Sequence, residues 1–281
     1  MEGRAEQETA IAVKGGLRPP RKFSISSAGT SPELGEFSAA GGSVDSGFGA
    51  EKSTMTTAIT LDPALPDCAY AAKAERYFVG ARADFVARLP TNPAARVLEI
   101  GCGSGETGAL ALGAGKAGHY TGIELFEAAA HKARARLSDV IVGNAESLPL
   151  DFPKASFDGL ILSEVLEHLI EPGRLLARLA PALKPGAMVL ASSPNVSHWR
   201  VVREVIAGRF DLADQGVFDR THMRWFTPST YRALFEAAGY DVVATWPLTP
   251  FAARTRLLSR VTGGRLDHLF MAQICLEARR R

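Results

Sequence analysis

The run Glu99-Ile100-Gly101-Cys102-Gly103-Ser104-Gly105 sets a carboxylate beside glycines at every second position. Glycine lets a backbone approach a ligand closely and take turns that a Cβ would block. A helix opening just behind such a loop presents unpaired N–H groups. In open α/β sheets, ligands bind at the carboxyl ends of the strands near the point where strand order reverses. Two cofactor chemistries compete for this loop. The segment Gly103-Ser104-Gly105-Glu106-Thr107-Gly108 matches the GxGxxG dinucleotide fingerprint. That match is displaced, because Gly101 already ends the preceding apolar run. Glu99 would repel a pyrophosphate and attract a cofactor that carries an ammonium and a sulfonium. The loop therefore favours S-adenosylmethionine over a nicotinamide dinucleotide.

Glu124 follows the loop by about 20 residues, where an acidic side chain commonly accepts hydrogen bonds from ribose hydroxyls. Taken alone, Glu124 is a solvated strand-end carboxylate; at this spacing it is a ribose contact. Leu125 and Phe126 come next and are placed to pack on an adenine. Asn144-Ala145-Glu146 suits an adenine-edge contact, with a turn role for Asn144 as the alternative. Gly101, Gly103 and Gly105 complete the candidate cofactor contacts.

A hydroxyl acceptor benefits from a base that takes its proton, and histidine is the usual choice. His222 is the first candidate, in an irregular segment flanked by aromatics; His198 and then His168 follow. A lone histidine is more often structural or solvated, which is the alternative for each. Glu164, Glu167 and His168 could hold a divalent metal, but the i, i+3 spacing on an ordinary helix reads first as solvation, so no metal site is expected. Trp199, Trp225 and Phe226 either line an acceptor pocket or pack as core. Arg209, Arg220 and Arg224 suit a phosphate-bearing acceptor, or are plain surface residues. The closing Arg279-Arg280-Arg281 is a solvated tail or a weak contact with an anionic membrane.

These residues need rigid elements. Apolar residues at helical spacing over 70–89 predict a helix that ends before Pro90. Short strands are predicted over 96–100, 119–123, 140–142, 157–162 and 187–192. Helices between them are predicted over 105–113, 126–137 and 164–183. After an irregular, aromatic and charged insertion at 195–227, set over the sheet's edge, a helix over 228–238 and strands near 241–246 and 269–276 follow. Alternation at this spacing implies parallel strands with right-handed crossovers, a doubly wound α/β sheet.

Val97 to Gly105, Gly122-Ile123-Glu124, Phe157-Asp158, Ser163-Glu164-Val165-Leu166-Glu167-His168 and Leu183-Lys184-Pro185-Gly186 together resemble class I S-adenosylmethionine-dependent methyltransferases, over roughly residues 70–278. The resemblance implies a Rossmann-like, mostly parallel seven-stranded sheet with an antiparallel last strand. It also implies cofactor contacts at Glu99, Gly101, Gly103, Glu124, Asn144 and Ala145, and at Ser163. The family usually carries Asp where this chain has Asn144; an amide oxygen still accepts from the adenine amine. A narrower resemblance lies in residues 193–199 and 208–210 and in Asp219-Arg220-Thr221-His222-Met223-Arg224-Trp225-Phe226-Thr227. It points to bacterial methyltransferases of glycan synthesis, to the methionine-biosynthesis MetW group and, more loosely, to ubiquinone-biosynthesis O-methyltransferases. The expectation is methyl transfer to a hydroxyl of a saccharide or related small molecule. A non-catalytic regulator on the same fold is the alternative, and a nicotinamide-dependent oxidoreductase ranks third. Fold alone does not choose among them.

Composition agrees. The chain has 281 residues, a 46% hydrophobic fraction and a net charge of +2, enough for one sizeable core and no electrostatic case for nucleic acid. No apolar run is long enough for a transmembrane helix. Cys68, Cys102 and Cys275 are scattered, form no CxxC pair and suggest a cytoplasmic location. Residues 1–54 are rich in Ser, Gly and Ala, lack an apolar period and are expected to be a disordered tail. A start of translation at Met55 is the other reading of that segment. The catalytic domain is expected over 67–278. Oligomeric state is not legible.

Overall fold

The strands that carry the expected site are apolar nearly throughout: Val97, Leu98 and Ile100 in one, Leu160, Ile161 and Leu162 in another, Val189, Leu190 and Ala191 in a third, all buried. Strands covered on both faces read this way, and helices on both sides are the usual cover. The computed structural model describes residues 80–281 and has that architecture. The expected tail and the first ten residues of the 70–89 helix lie outside the described residues. The described part of that helix is α1, Ala83–Arg88, with Phe85 and Val86 buried.

From there the chain alternates: β1 (Arg96–Ile100), α2 (Glu106–Gly113), β2 (His119–Glu124), α3 (Glu127–Ala133), β3 (Asp139–Val142) and β4 (Phe157–Ser163). It continues through α4 (Pro172–Leu179), β5 (Leu183–Pro194), α5 (Trp199–Ile206), α6 (Pro228–Ala237), β6 (Tyr240–Pro247), α7 (Ala253–Thr262) and β7 (Gln273–Arg280). Strand order is β3-β2-β1-β4-β5-β7-β6, with β7 antiparallel to both neighbours. Order reverses between β1 and β4, so their carboxyl ends, with that of β2, form the rim of a switch-point cleft. Alternate residues feed two cores. Leu160 and Leu162 meet Leu176 and Phe235 on one face. Ile161 and Leu190 meet Phe85 and Tyr120 on the other.

The helix expected over 164–183 is a correction. Glu164 takes φ +55°, a conformation no helix contains. Leu166–His168 is a single 3-10 turn, and α4 begins only at Pro172. Proline suits the first helical position because its missing N–H has no partner there anyway. Leu175, Leu176 and Leu179 then face the core. The strand expected over 269–276 is also displaced: Asp267–Leu269 is a 3-10 turn and β7 starts at Gln273. Helices α5 and α7 were not expected.

The insertion leaves the sheet from the carboxyl end of β5, an interior strand and not an edge. Its base is pinned where Val196 N donates to Phe226 O at 2.9 Å. Asn195, fully buried, donates to the carbonyls of His268 and Met271, both at 2.7 Å, and accepts from the Ser197 N–H and hydroxyl. Farther along, Met223 N and Arg224 N both donate to the Glu167 carbonyl, at 2.8 and 2.9 Å. These bonds hold the insertion against the turn after β4. A capping box between Thr227 and Thr230, with Pro228 behind it, then opens α6.

Candidate active site

The carboxyl ends of β1, β2 and β4, the β3 turn and the insertion enclose a cavity of about 620 Å³. Its glycine loop needs left-handed backbone. Gly101 has φ +72°, and a Cβ there would fall 2.7 Å from Val165 Cγ2. Gly101 N and Cys102 N donate to Ile123 O, tying the loop to β2. Gly105 sits apart from the other loop glycines. It also has positive φ, but it packs on Ala133 and Leu137 and does not line the cavity. Its role is to turn the chain into α2.

Glu99, Gly101, Gly103, Glu124, Leu125, Asn144, Ala145 and Ser163 all line the cavity. Glu124 is held at both oxygens: Gly103 N donates to Oε2 at 2.8 Å and Phe126 N to Oε1 at 3.0 Å. Burial raises its pKa, and those N–H groups pull it back. Glu99 is 2% exposed and accepts from the Tyr120 hydroxyl at 3.0 Å. Burial pushes its carboxyl up to about 8; the Tyr120 bond opposes this and the Glu124 charge adds to it. Asn144 Oδ1 accepts from Glu146 N at 2.9 Å within the turn after β3, and the residue also lines the cavity. Glu146 in turn accepts from Ile170 N and Glu171 N ahead of α4.

Arg82 is a site residue that sequence reasoning missed. It lines the cavity, donates to Ser163 Oγ and Ser192 Oγ, both at 2.6 Å, and grips Asp84 with two N–H groups. Burial works against its charge, yet Asp84 keeps the pKa raised. A single arginine at a helix start carries no motif, so one sequence gave no signal for it.

The same cavity also brings together Glu164, Glu167, His168, Asp219 and His222. His168 and His222, far apart in sequence, have ring centroids 4.7 Å apart. Burial drives Glu167 well above the usual carboxylate range, and the nearby Glu164 charge adds to this. Burial raises Glu164 too. His198 does not join them. It precedes α5 as its N-cap residue, its ring lies 5.9 Å from Trp199, and burial lowers its pKa. Trp199 and Trp225 are likewise off the cavity wall, and Phe226 packs in the core against Tyr231. The three arginines considered for phosphate already have partners: Arg209 pairs with Glu204, Arg220 with Asp214, and Arg224 donates to the Ile170 carbonyl.

The methyltransferase-domain family matches this chain over residues 70–245. The chain belongs to the class I S-adenosylmethionine-dependent methyltransferases. A probable S-adenosylmethionine-dependent methyltransferase of Mycolicibacterium smegmatis is 31% identical over 53% of this chain and 53% of its own length. A trans-aconitate 2-methyltransferase of Methylobacterium nodulans is 32% identical over 57% of this chain and 63% of its own. A ubiquinone biosynthesis O-methyltransferase of Aromatoleum aromaticum is 29% identical over 57% and 70%. The chain thus spans between half and two thirds of the length of the first two. Among solved structures, an S-adenosylmethionine-dependent methyltransferase of Mesorhizobium loti superposes with TM-score 0.51 at 19% identity, covering 74% of this chain and 98% of that one. One from Archaeoglobus fulgidus gives 0.51 at 20%, covering 73% and 97%. These two show the fold. The cofactor of this methyltransferase is S-adenosylmethionine, and the glycine loop with two anchored carboxylates on one cavity wall fits it. Among the described residues, no helix is long and apolar enough to cross a membrane.

Proposed function

We propose that this methyltransferase acts on a hydroxyl oxygen of a small-molecule acceptor, a saccharide or a related metabolite. The observation that carries the reading is the convergence of His168 and His222, from distant parts of the sequence, in the same cavity that the glycine loop lines. When bound, S-adenosylmethionine supplies a sulfonium methyl, so that an oxygen lone pair forms the O–C bond as the S–C bond breaks and a neutral thioether departs.

The chain supplies position and field. Glu124, locked by Gly103 N and Phe126 N, offers its remaining lone pairs to the ribose. Glu99 accepts from the ammonium, and Leu125 and Ala145 border the adenine. Ser163, oriented by Arg82, lines the cavity at the end of β4. The acceptor's proton is handled at the His168 and His222 pair, with His222 the group brought in by the insertion. That segment, 195–227, forms the acceptor side, which is where resemblance to glycan-synthesis methyltransferases is concentrated. The Aromatoleum relative, an O-methyltransferase by name, supports oxygen as the atom methylated.

The test is incubation with methyl-labelled S-adenosylmethionine and fractionated bacterial extract, with mass spectrometry of labelled products. An O-methyl product lost on Glu124→Ala is expected. Cofactor binding without transfer to any fraction would overturn the catalytic reading in favour of a regulator on this fold.

A further inference from the structure

The acceptor wall holds buried carboxyl oxygens without partners. Glu167 is 1% exposed, and neither of its carboxylate oxygens has a hydrogen-bond partner. Buried polar groups are nearly always paired, and a buried carboxylate is costly without a donor or a cation. Glu164 Oε1 is a third buried carboxyl oxygen in the same condition. What stands beside Glu167 is a pair of imidazoles. One ligand-capable atom each from Glu167, His168 and His222 lies within 4.8 Å of the other two.

Both rings are oriented from behind by backbone carbonyls. His168 Nδ1 lies 3.2 Å from Thr221 O, and His222 Nδ1 lies 3.1 Å from Val217 O. A neutral ring that donates from Nδ1 carries its lone pair on Nε2, and this carbonyl-backed arrangement is how proteins orient metal-bound histidines. Ligands about 2.1 Å from a common ion stand roughly 3–4 Å apart, so a rotamer-scale contraction closes the set. Two imidazoles and one carboxylate suit Zn²⁺, Mn²⁺ or Fe²⁺ and leave coordination positions open.

We propose that Glu167, His168 and His222 form a divalent transition-metal site on the acceptor wall of the cavity. The ligands come from the turn after β4 and from the insertion. The Met223 and Arg224 amides bonded to the Glu167 carbonyl fix the two segments relative to each other before any ion arrives. An ion here favours the ionised form of Glu167 and gives its oxygens the partner they lack. Its open positions take an acceptor oxygen. The bound hydroxyl then loses its proton to water, because the ion lowers its pKa. That use rests on the O-methyl-transfer reading; occupation of the site by a metal does not. The His168 and His222 pair thus handles the acceptor's proton by holding the ion that acidifies it.

The test uses the full chain, stripped with EDTA and titrated with Co²⁺ while its visible absorption is recorded. One equivalent with the band pattern of nitrogen and oxygen ligands is expected. Glu167→Gln and His222→Asn should each weaken Co²⁺ binding by about 100-fold or more, whereas His119→Asn, on β2, should not. Calorimetry with S-adenosylmethionine on both site variants should show cofactor affinity retained within about threefold of the parent, a spread worth only about 0.65 kcal/mol. That readout separates failure of the metal site from failure of the methyltransferase reading. A measurement on the unaltered chain guards against misfolded variants: Zn²⁺ should protect His168 and His222 from diethyl pyrocarbonate, read by peptide mass. The proposal is overturned if the folded parent takes up no Co²⁺ at one equivalent, if Glu167→Gln binds it equally well, or if Zn²⁺ gives no protection.

Discussion

Glu99→Gln keeps the shape of the side chain beside the glycine loop and removes its ionisation. In the cofactor-free protein this carboxyl titrates near pH 8, so at pH 7 it is mostly protonated. An α-amino group titrates at about 7.7–8.0. An ion pair between them needs the carboxylate ionised and the amine protonated at once. Binding of S-adenosylmethionine should therefore expel a proton below about pH 7.5 and take one up above about pH 8.5, with affinity highest near 8 and falling about tenfold per unit on either side. At the optimum the charge-assisted hydrogen bond contributes about 1.5–3 kcal/mol, a loss of roughly 10- to 150-fold for the variant. Near pH 6 the parent has itself lost about 25-fold from that optimum by the same linkage, and the two proteins approach each other. Stability moves the other way. The folded carboxyl holds its proton from 4.5 up to about 8 while the unfolded one does not, so the parent loses stability as pH rises through that window. The span is about 3.5 units, on the order of 5 kcal/mol, and E99Q should lack this contribution while keeping that of the other buried carboxyls such as Glu124. Calorimetry in two buffers of different ionisation enthalpy, at pH 6.5 and pH 9, reads the protons directly. Parent binding at pH 6.5 without proton release, or equal affinities of parent and variant at pH 8, refutes the pairing of Glu99 with the ammonium.

Other perturbations test separate parts. Gly101→Ala puts a methyl 2.7 Å from Val165 Cγ2 at positive φ, which costs roughly 1–2 kcal/mol for the backbone alone; its melting temperature should drop and its cofactor affinity fall in calorimetry. Arg82→Leu leaves Ser163 and Ser192 without their shared donor and should lower urea-unfolding stability by about 1–3 kcal/mol. Arg82→Lys should not restore it, because one ammonium cannot reproduce the planar fork that holds Asp84. Thr227→Ala removes the α6 cap and should cost about 1 kcal/mol in thermal unfolding while leaving cofactor affinity unchanged.

The parallel sheet was legible because buried strands are apolar without interruption and glycine marks where β1 ends. Glu99 and Glu124 were legible because strand-end carboxylates at that spacing have few other uses. The turn after β4 was misread for a local reason: Glu164 to Leu183 has helical composition, and only Pro172 showed where the helix begins. The pairing of His168 with His222 was not legible, since 53 residues separate them and only tertiary structure brings them together. Arg82 escaped for a similar reason, because its partners Ser163, Ser192 and Cys275 belong to three different strands.

The sheet order carries a kinetic consequence. β6 hydrogen-bonds only to β7 in the described sheet, and β7 is later in sequence and inserts between β5 and β6. Until residues 273–280 have docked along β5, β6 has no edge to join, although α6 ahead of it can already pack. The contact that seals this half of the sheet spans the whole insertion, from Met188 to Arg279 at its farthest. Such long loops are slow to close. In refolding experiments, protection of the β6 amides should therefore appear with that of β7 and not with that of β1 and β4, so the acceptor wall, which hangs from the end of β5, should be the last part of the cleft to become rigid.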